Sequence, residues 1–275
     1  MYRAIATDLD GTLLRSDGSI SPGTAAMLLE MHRRGIPVIV CTGRSYSETM
    51  DVLAGHPIHP IMILLTGALV LDVRTGRTLS RKIVPSTQAA DILGLLRGAG
   101  DHFFYVYNEA KLYAFPEMWE RAGACGLNEK DIACTRKWMV CDENLERRVR
   151  SGDLDCEKIF AVLKEDRCPP ELREALGDQT QCIRAGANRF EILAAGTNKR
   201  TGLLSALQEM RLEPQQVLAF GDSENDIPLA KICATFVAME NADNELMRYT
   251  SEQTAKNDAD GVAVYINRML REGKL

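Results

Sequence analysis

The chain has 275 residues, 45% of them hydrophobic and 26% charged, with a formal net charge of −5. That length accommodates one large α/β domain or two smaller ones, and the apolar share is ample for a core. The acidic balance gives no electrostatic case for nucleic acid or an anionic membrane as partner, and no apolar run reaches the length of a membrane-spanning helix.

The first element is a short apolar strand over residues 2–6, which ends in Asp8-Leu9-Asp10-Gly11-Thr12. Asp8 and Asp10 are one residue apart, so they share a side only while the chain stays extended. Gly11 then lets the backbone bend away. Two carboxylates at the tip of a strand repel each other, and a divalent cation relieves that repulsion; oxygen donors suit magnesium better than zinc. A solvated Asp-Gly turn is the plain alternative. The same two carboxylates interrupt the N-terminal apolar segment, which argues against a secretion signal. The eight cysteines, Cys134 among them, contain no Cys-x-x-Cys pair and read as reduced thiols of a cytoplasmic protein.

A polar loop leads to a helix opened by Ser21 as N-cap and Pro22 in its first turn, with Ala25, Leu28, Leu29 and His32 inward and Gly35 at its end. A second buried strand, residues 36–41, makes a βαβ crossover with the first and ends in Thr42-Gly43-Arg44 before a helix over 45–53. A hydroxyl and a glycine at a helix start suit an anion, although a simple N-cap explains them too. A third strand spans 61–65, followed by a hairpin, 68–73 with 78–83, around Thr75-Gly76.

From about residue 84 the pattern changes. A helix over 86–96, an aromatic strand over 101–107 with its hairpin partner 111–114, and further strands over 158–163, 181–184 and 189–193 have the α+β character of an inserted domain. The βα rhythm returns with Lys199, a helix over 202–210 and a strand over 217–220. That strand ends in Gly221-Asp222-Ser223-Glu224-Asn225-Asp226, where Ser223 and Asp226 fit a capping box. The cap alone leaves Asp222 and Asn225 unexplained. The pattern closes with a strand over 234–239, a segment 244–249 and a helix over 261–270.

The tips of a parallel sheet would gather Asp8, Asp10, Thr42, Gly43, Lys199, Asp222, Asn225 and Asp226 at one edge. Such a set suits phosphoryl transfer, with one carboxylate as nucleophile, a second as general acid and base, and a lysine and loop donors on the phosphate oxygens.

These four segments, in this order and with a domain-sized gap between the second and third, resemble the haloacid dehalogenase superfamily of hydrolases, Cof type, over essentially the whole chain. The tail Asp260-Gly261-Val262-Ala263 matches a recurrent closing segment of that family. The resemblance implies an α/β fold, a Rossmann-like parallel-sheet core (1–83 and 191–275) with an inserted α+β cap (84–190). It implies Asp8 as nucleophile, Asp10 as general acid and base, and magnesium held by Asp8, the backbone carbonyl of Asp10 and Asp222, with Asp226 in support. It further implies phosphate contacts from Thr12, Thr42, Gly43, Arg44, Lys199 and Asn225, with Arg44 available to the leaving group. Thr66-Gly67-Ala68 departs from the family's frequent Asn-Gly-Ala, and Glu240 stands where glycine is common. The implied function is a phosphatase of small phosphorylated metabolites, sugar phosphates above all, in a monomer or small homo-oligomer. A phosphomutase using the same chemistry and a phosphate-binding protein without turnover are the alternatives; a receiver-type signalling domain would need neither Asp10 as an acid nor a cap.

Overall fold

The computed structural model describes residues 2–127 and 129–275, without the side chains of residues 129–131 and 134, so Cys134 lies outside it. In chain order the elements are β1 (Ala4–Thr7), α1 (Pro22–Arg33), β2 (Val38–Val40), α2 (Tyr46–Leu53), β3 (Ile61–Leu64), β4 (Leu69–Asp72) and β5 (Arg77–Arg81). Then come α3 (Ser86–Ala99), β6 (Phe103–Asn108), β7 (Lys111–Ala114), α4 (Met118–Ala124), α5 (Glu129–Arg136), β8 (Met139–Cys141), α6 (Leu145–Ser151), β9 (Lys158–Val162), α7 (Pro170–Leu176), β10 (Thr180–Arg184) and β11 (Arg189–Ala194). The chain closes with α8 (Lys199–Met210), β12 (Val217–Gly221), α9 (Ile227–Ala230), β13 (Thr235–Met239), β14 (Glu252–Thr254) and α10 (Gly261–Arg271). Among the described residues no helix is long and apolar enough to cross a membrane.

Two compact units result. The first holds Met1–Arg44, Thr49–Ser80 and Asn198–Leu275; the second holds Ser45–Glu48 and Arg81–Thr197. In the first, five parallel strands run in the order β14-β13-β12-β1-β2. A parallel bridge between Cys41 and Ile63 ties on a three-stranded sheet, β3-β4-β5, in which β3 and β4 are antiparallel.

Alternation along the strands decides which helix lies where. Ile5, Val38, Val40, Leu218 and Phe220 point to one face and pack with α1 and α10 through Met27, Leu28, Val262 and Ile266. Ala4, Ala6, Ile39, Val217 and Ala219 point to the other, where Leu203, Ala206 and Leu207 of α8 meet them. The small side chains on that second face let α8 approach the sheet closely.

The inner face of α1 is Thr24, Met27, Leu28 and Met31, rotated from the expected stripe; Leu29 is exposed, and so is His32. The two methionines are long enough to reach the sheet, and they set the helix's rotation. Strand β14 carried no apolar signal because, as a sheet edge, its Glu252 and Gln253 face solvent.

The second unit is a six-stranded sheet, β10-β11-β9-β6-β7-β8, antiparallel except between β7 and β8. Its boundaries correct the expected ones. Residue 191 lies inside β11, which pairs with β9 on one side and β10 on the other, so the unit continues to Thr197. It also starts earlier, because Arg81 is bound to Glu157 and Asp155 of the same unit.

Candidate active site

β1 and β12 are parallel neighbours with Thr7 opposite Phe220, so Asp8 and Asp222 emerge side by side at the carboxyl ends of the strands. Ligands of open α/β sheets bind at that edge. Beyond Asp8 the chain turns tightly, with the Leu14 amide donating to the Leu9 carbonyl at 2.9 Å. The turn requires Gly11, whose φ is +71°; a Cβ there would stand 2.2 Å from Oδ2 of Asp222. It brings the Thr12 hydroxyl to donate to Oδ1 of Asp222 at 2.9 Å.

Lys199 enters from the first turn of α8. Asn198 caps that helix, its side chain accepting from the Thr201 amide at 3.1 Å. The Lys199 ammonium is fully buried and lies 3.0 Å from Oδ2 of Asp8 and 2.7 Å from Oδ1 of Asp226. The second oxygen of Asp226 accepts from the amides of Asp222 and Ser223 at 3.1 and 3.2 Å. Buried Asp226 is thus a clasp that ties Lys199 to the loop bearing Asp222.

Electrostatics follow from burial. Burial pushes the Asp8 carboxyl well above the usual carboxylate range; Lys199 opposes this, while Asp226, Asp222 and Asp10 reinforce it. Burial, then Asp226, pushes Asp222 up to about 7, against the Thr12 hydrogen bond. For Lys199, burial on its own would favour the neutral amine, but Asp226 and Asp8 outweigh it and hold the ammonium well above its ordinary value. One cation facing three carboxylates leaves the cluster short of positive charge.

Oxygen atoms of Asp8, Asp222 and Asp226 lie within 4.8 Å of one another. Carboxylate-only donors with an excess of negative charge fit a hard divalent cation. Asp226 is fully buried and both its oxygens are bonded. Asp8 also has both bonded, Oδ1 accepting from the Leu9 amide at 2.7 Å and Oδ2 facing Lys199. Asp222 is only partly buried and, among the described residues, has a single side-chain bond, from Thr12.

The remaining expected residues divide. The Asp10 carboxylate stands outside this cluster: it is more than half exposed and takes a forked pair from Arg44, Nε at 2.7 Å and a terminal nitrogen at 2.5 Å. Arg44, expected on phosphate or leaving group, is therefore on Asp10. The Thr42 amide donates to the Ile63 carbonyl at 2.8 Å and so is not a phosphate donor; its buried hydroxyl accepts from the Arg44 amide at 3.2 Å. Gly43 lies between the two, and Asn225 accepts from the Ser223 hydroxyl at 3.0 Å.

Sequence reasoning missed Asn241. Its amide donates to the Gly11 carbonyl at 2.8 Å and its oxygen accepts from the Asn257 amide at 3.0 Å, bracing the Asp8 turn. Nothing in the local pattern marks it, because the contact spans the whole chain.

A family model described as haloacid dehalogenase-like hydrolase matches residues 5–266. The chain belongs to that family. This haloacid dehalogenase-like hydrolase is 25% identical over 291 residues to the 5-amino-6-(5-phospho-D-ribitylamino)uracil phosphatase YwtE of Bacillus subtilis, covering 98% of each chain. It is 24% identical over 284 residues to the chloroplastic endoribonuclease YBEY of Arabidopsis thaliana, matching 97% of this chain but only 46% of that protein. Among solved structures, a haloacid dehalogenase-like hydrolase from Bacillus subtilis superposes with a TM-score of 0.80 at 23% identity, over 96% of this chain and 99% of that one, which shows a common fold.

Proposed function

We propose that the protein is a divalent-cation-dependent phosphatase of small phosphate monoesters that works through a phosphorylated Asp8. The observation that carries this reading is the Lys199 ammonium held 3.0 Å from a buried Asp8 carboxylate, with Asp222 beside it. A merely structural ion pair would not need a second and third carboxylate, whose mutual repulsion is unfavourable without a bound ligand.

Asp8 attacks phosphorus, and the ester P–O bond breaks as Asp10 gives its proton to the departing alcohol oxygen. Asp10 then takes a proton from water, whose oxygen attacks the same phosphorus and returns Asp8 as a free carboxylate with inorganic phosphate released. Lys199, the Thr42 hydroxyl and the Gly43 amide hold the non-bridging oxygens. Magnesium on Asp8, Asp222 and the Asp10 carbonyl would offset the charge of phosphate beside these acids. Asp226 keeps Lys199 and the Asp222 loop in register. For its role as acid and base Asp10, more than half exposed, must be released from the Arg44 fork.

The substrate class rests on the relatives. Two Bacillus subtilis proteins, similar to this one over 98% and 95% of its length, are named as phosphatases of a phosphorylated ribityl compound. Phosphorylated sugars and polyols are the substrates to try first, with the second unit assigned to substrate selection. Asp8→Asn tests the mechanism: it is expected to fold, to bind metal more weakly and to lose at least about 10³-fold in turnover. Undiminished phosphate release from that variant overturns the proposal.

A further inference from the structure

The first turn of α8 meets the loop after β3 through two glycines. In that loop Leu65, Thr66 and Gly67 are successive residues with positive φ, at 50°, 57° and 94°. For a leucine and a β-branched threonine this conformation is strained, and it persists only where the surroundings over-determine it. Here they do. The Leu65 amide donates to the Arg44 carbonyl at 3.1 Å and the Thr66 amide to the Thr42 carbonyl at 2.9 Å, so the loop is laced to residues 42–44.

The other side of the loop lies against α8. A Cβ on Gly67 would stand 2.1 Å from the carbonyl oxygen of Asn198. A Cβ on Gly202 would stand 2.5 Å from Ile63 Cγ2 and 3.1 Å from Gly67 Cα. Backbone therefore packs on backbone at the residue that caps α8, and the next residue is Lys199.

We infer that the Leu65–Gly67 loop is a positioning element: it seats the N-terminus of α8 so that Lys199 reaches Asp8, and it locks residues 42–44 to the same frame. Leu65, Thr66 and Gly67 need not touch substrate; they act through Lys199. Packed glycines allow the close approach, and the left-handed turn aims two backbone amides at residues 42–44 while laying Gly67 against the cap of α8. This rests on the reading of Lys199 as a phosphate-holding group.

The decisive variant is Gly202→Ala. Alanine favours the helix, so what changes is the contact with Ile63 and Gly67, where the added methyl group pushes α8 away from the loop. We expect kcat to fall about 10- to 100-fold, as sub-ångström to ångström misplacement does, in a protein that stays folded with the melting temperature lowered by the overpacking. Gly67→Ala adds a left-handed alanine and should lose more. Gly76→Ala is the control: its φ is +70° with nothing within 4 Å, so it carries the same backbone strain and should keep kcat and KM. Adding Gly202→Ala to Lys199→Met should cost no further activity, because both act on one group. A folded Gly202→Ala with full kcat, or losses that add in the double variant, overturns the inference. Undiminished activity in Lys199→Met alone overturns instead the functional reading beneath it. Should Gly67→Ala fail to fold, Gly202→Ala decides.

Discussion

Lys199 is the residue on which most of the site's charge balance depends. It is wholly buried and serves two carboxylates at once. Removing one partner from such a cluster leaves uncompensated buried charge, which costs about 3–5 kcal/mol. Lys199→Met is therefore predicted to lose both activity and stability, and magnesium should recover part of the stability by supplying the missing positive charge. Thermal melts with and without the cation would check this; a variant as stable as the parent in chelator would contradict it. Asp226 differs from Asp8 and Asp222 in what it binds. Its bonds to Lys199, Asp222 and Ser223 leave it a holding role that the sequence, which shows only an acidic run after a strand, could not separate from a metal ligand.

At the scale of elements, the entry into the second unit has its own buried charge. Glu157 is fully buried and accepts from Arg81 Nε and the Glu109 amide, each at 2.6 Å. Burial pushes its carboxyl up, against the pull of Arg81. Arg81→Met should thus destabilise the protein by about 2–4 kcal/mol at neutral pH, and by clearly less near pH 4.5, where the stranded carboxyl takes a proton. Denaturant melts at the two pH values would show it, and an equal loss at both would count against the pair. The elements themselves were largely legible. Apolar runs ending in Asp8-x-Asp10, Thr42-Gly43 and Gly221-Asp222 placed the parallel strands, because in this fold the polar tip and the buried strand are adjacent in sequence. What stayed hidden depends on distant contacts: the rotation of α1 set by Met27 and Met31, the solvent-facing edge strand β14, the fork of Arg44 on Asp10, and Asn241 under Gly11. The left-handed Thr66 was hidden too, since threonine carries no local signal for that conformation.

For the molecule as a whole, stability, pH and metal are linked through the acidic cluster. An Asp whose folded value is about 7, against roughly 3.9 when unfolded, binds its proton more tightly in the folded state. The stability it contributes is complete below about pH 4 and is lost as pH rises toward 7. Metal-free protein should accordingly melt at lower temperature as pH climbs through that window. A divalent cation needs the deprotonated carboxylates, so the rise in melting temperature on adding magnesium should be larger at pH 8 than at pH 5. A metal effect independent of pH would place the cation elsewhere.

Metal-dependent phosphate release is measured on a panel of phosphorylated sugars, polyols and nucleotides, assayed with magnesium and with excess chelator. Release should require the cation, be strongest on one or two phosphorylated sugars or polyols, and disappear in Asp8→Asn. Release that persists in chelator, or silence across the panel from folded, magnesium-loaded protein, would contradict the proposed function.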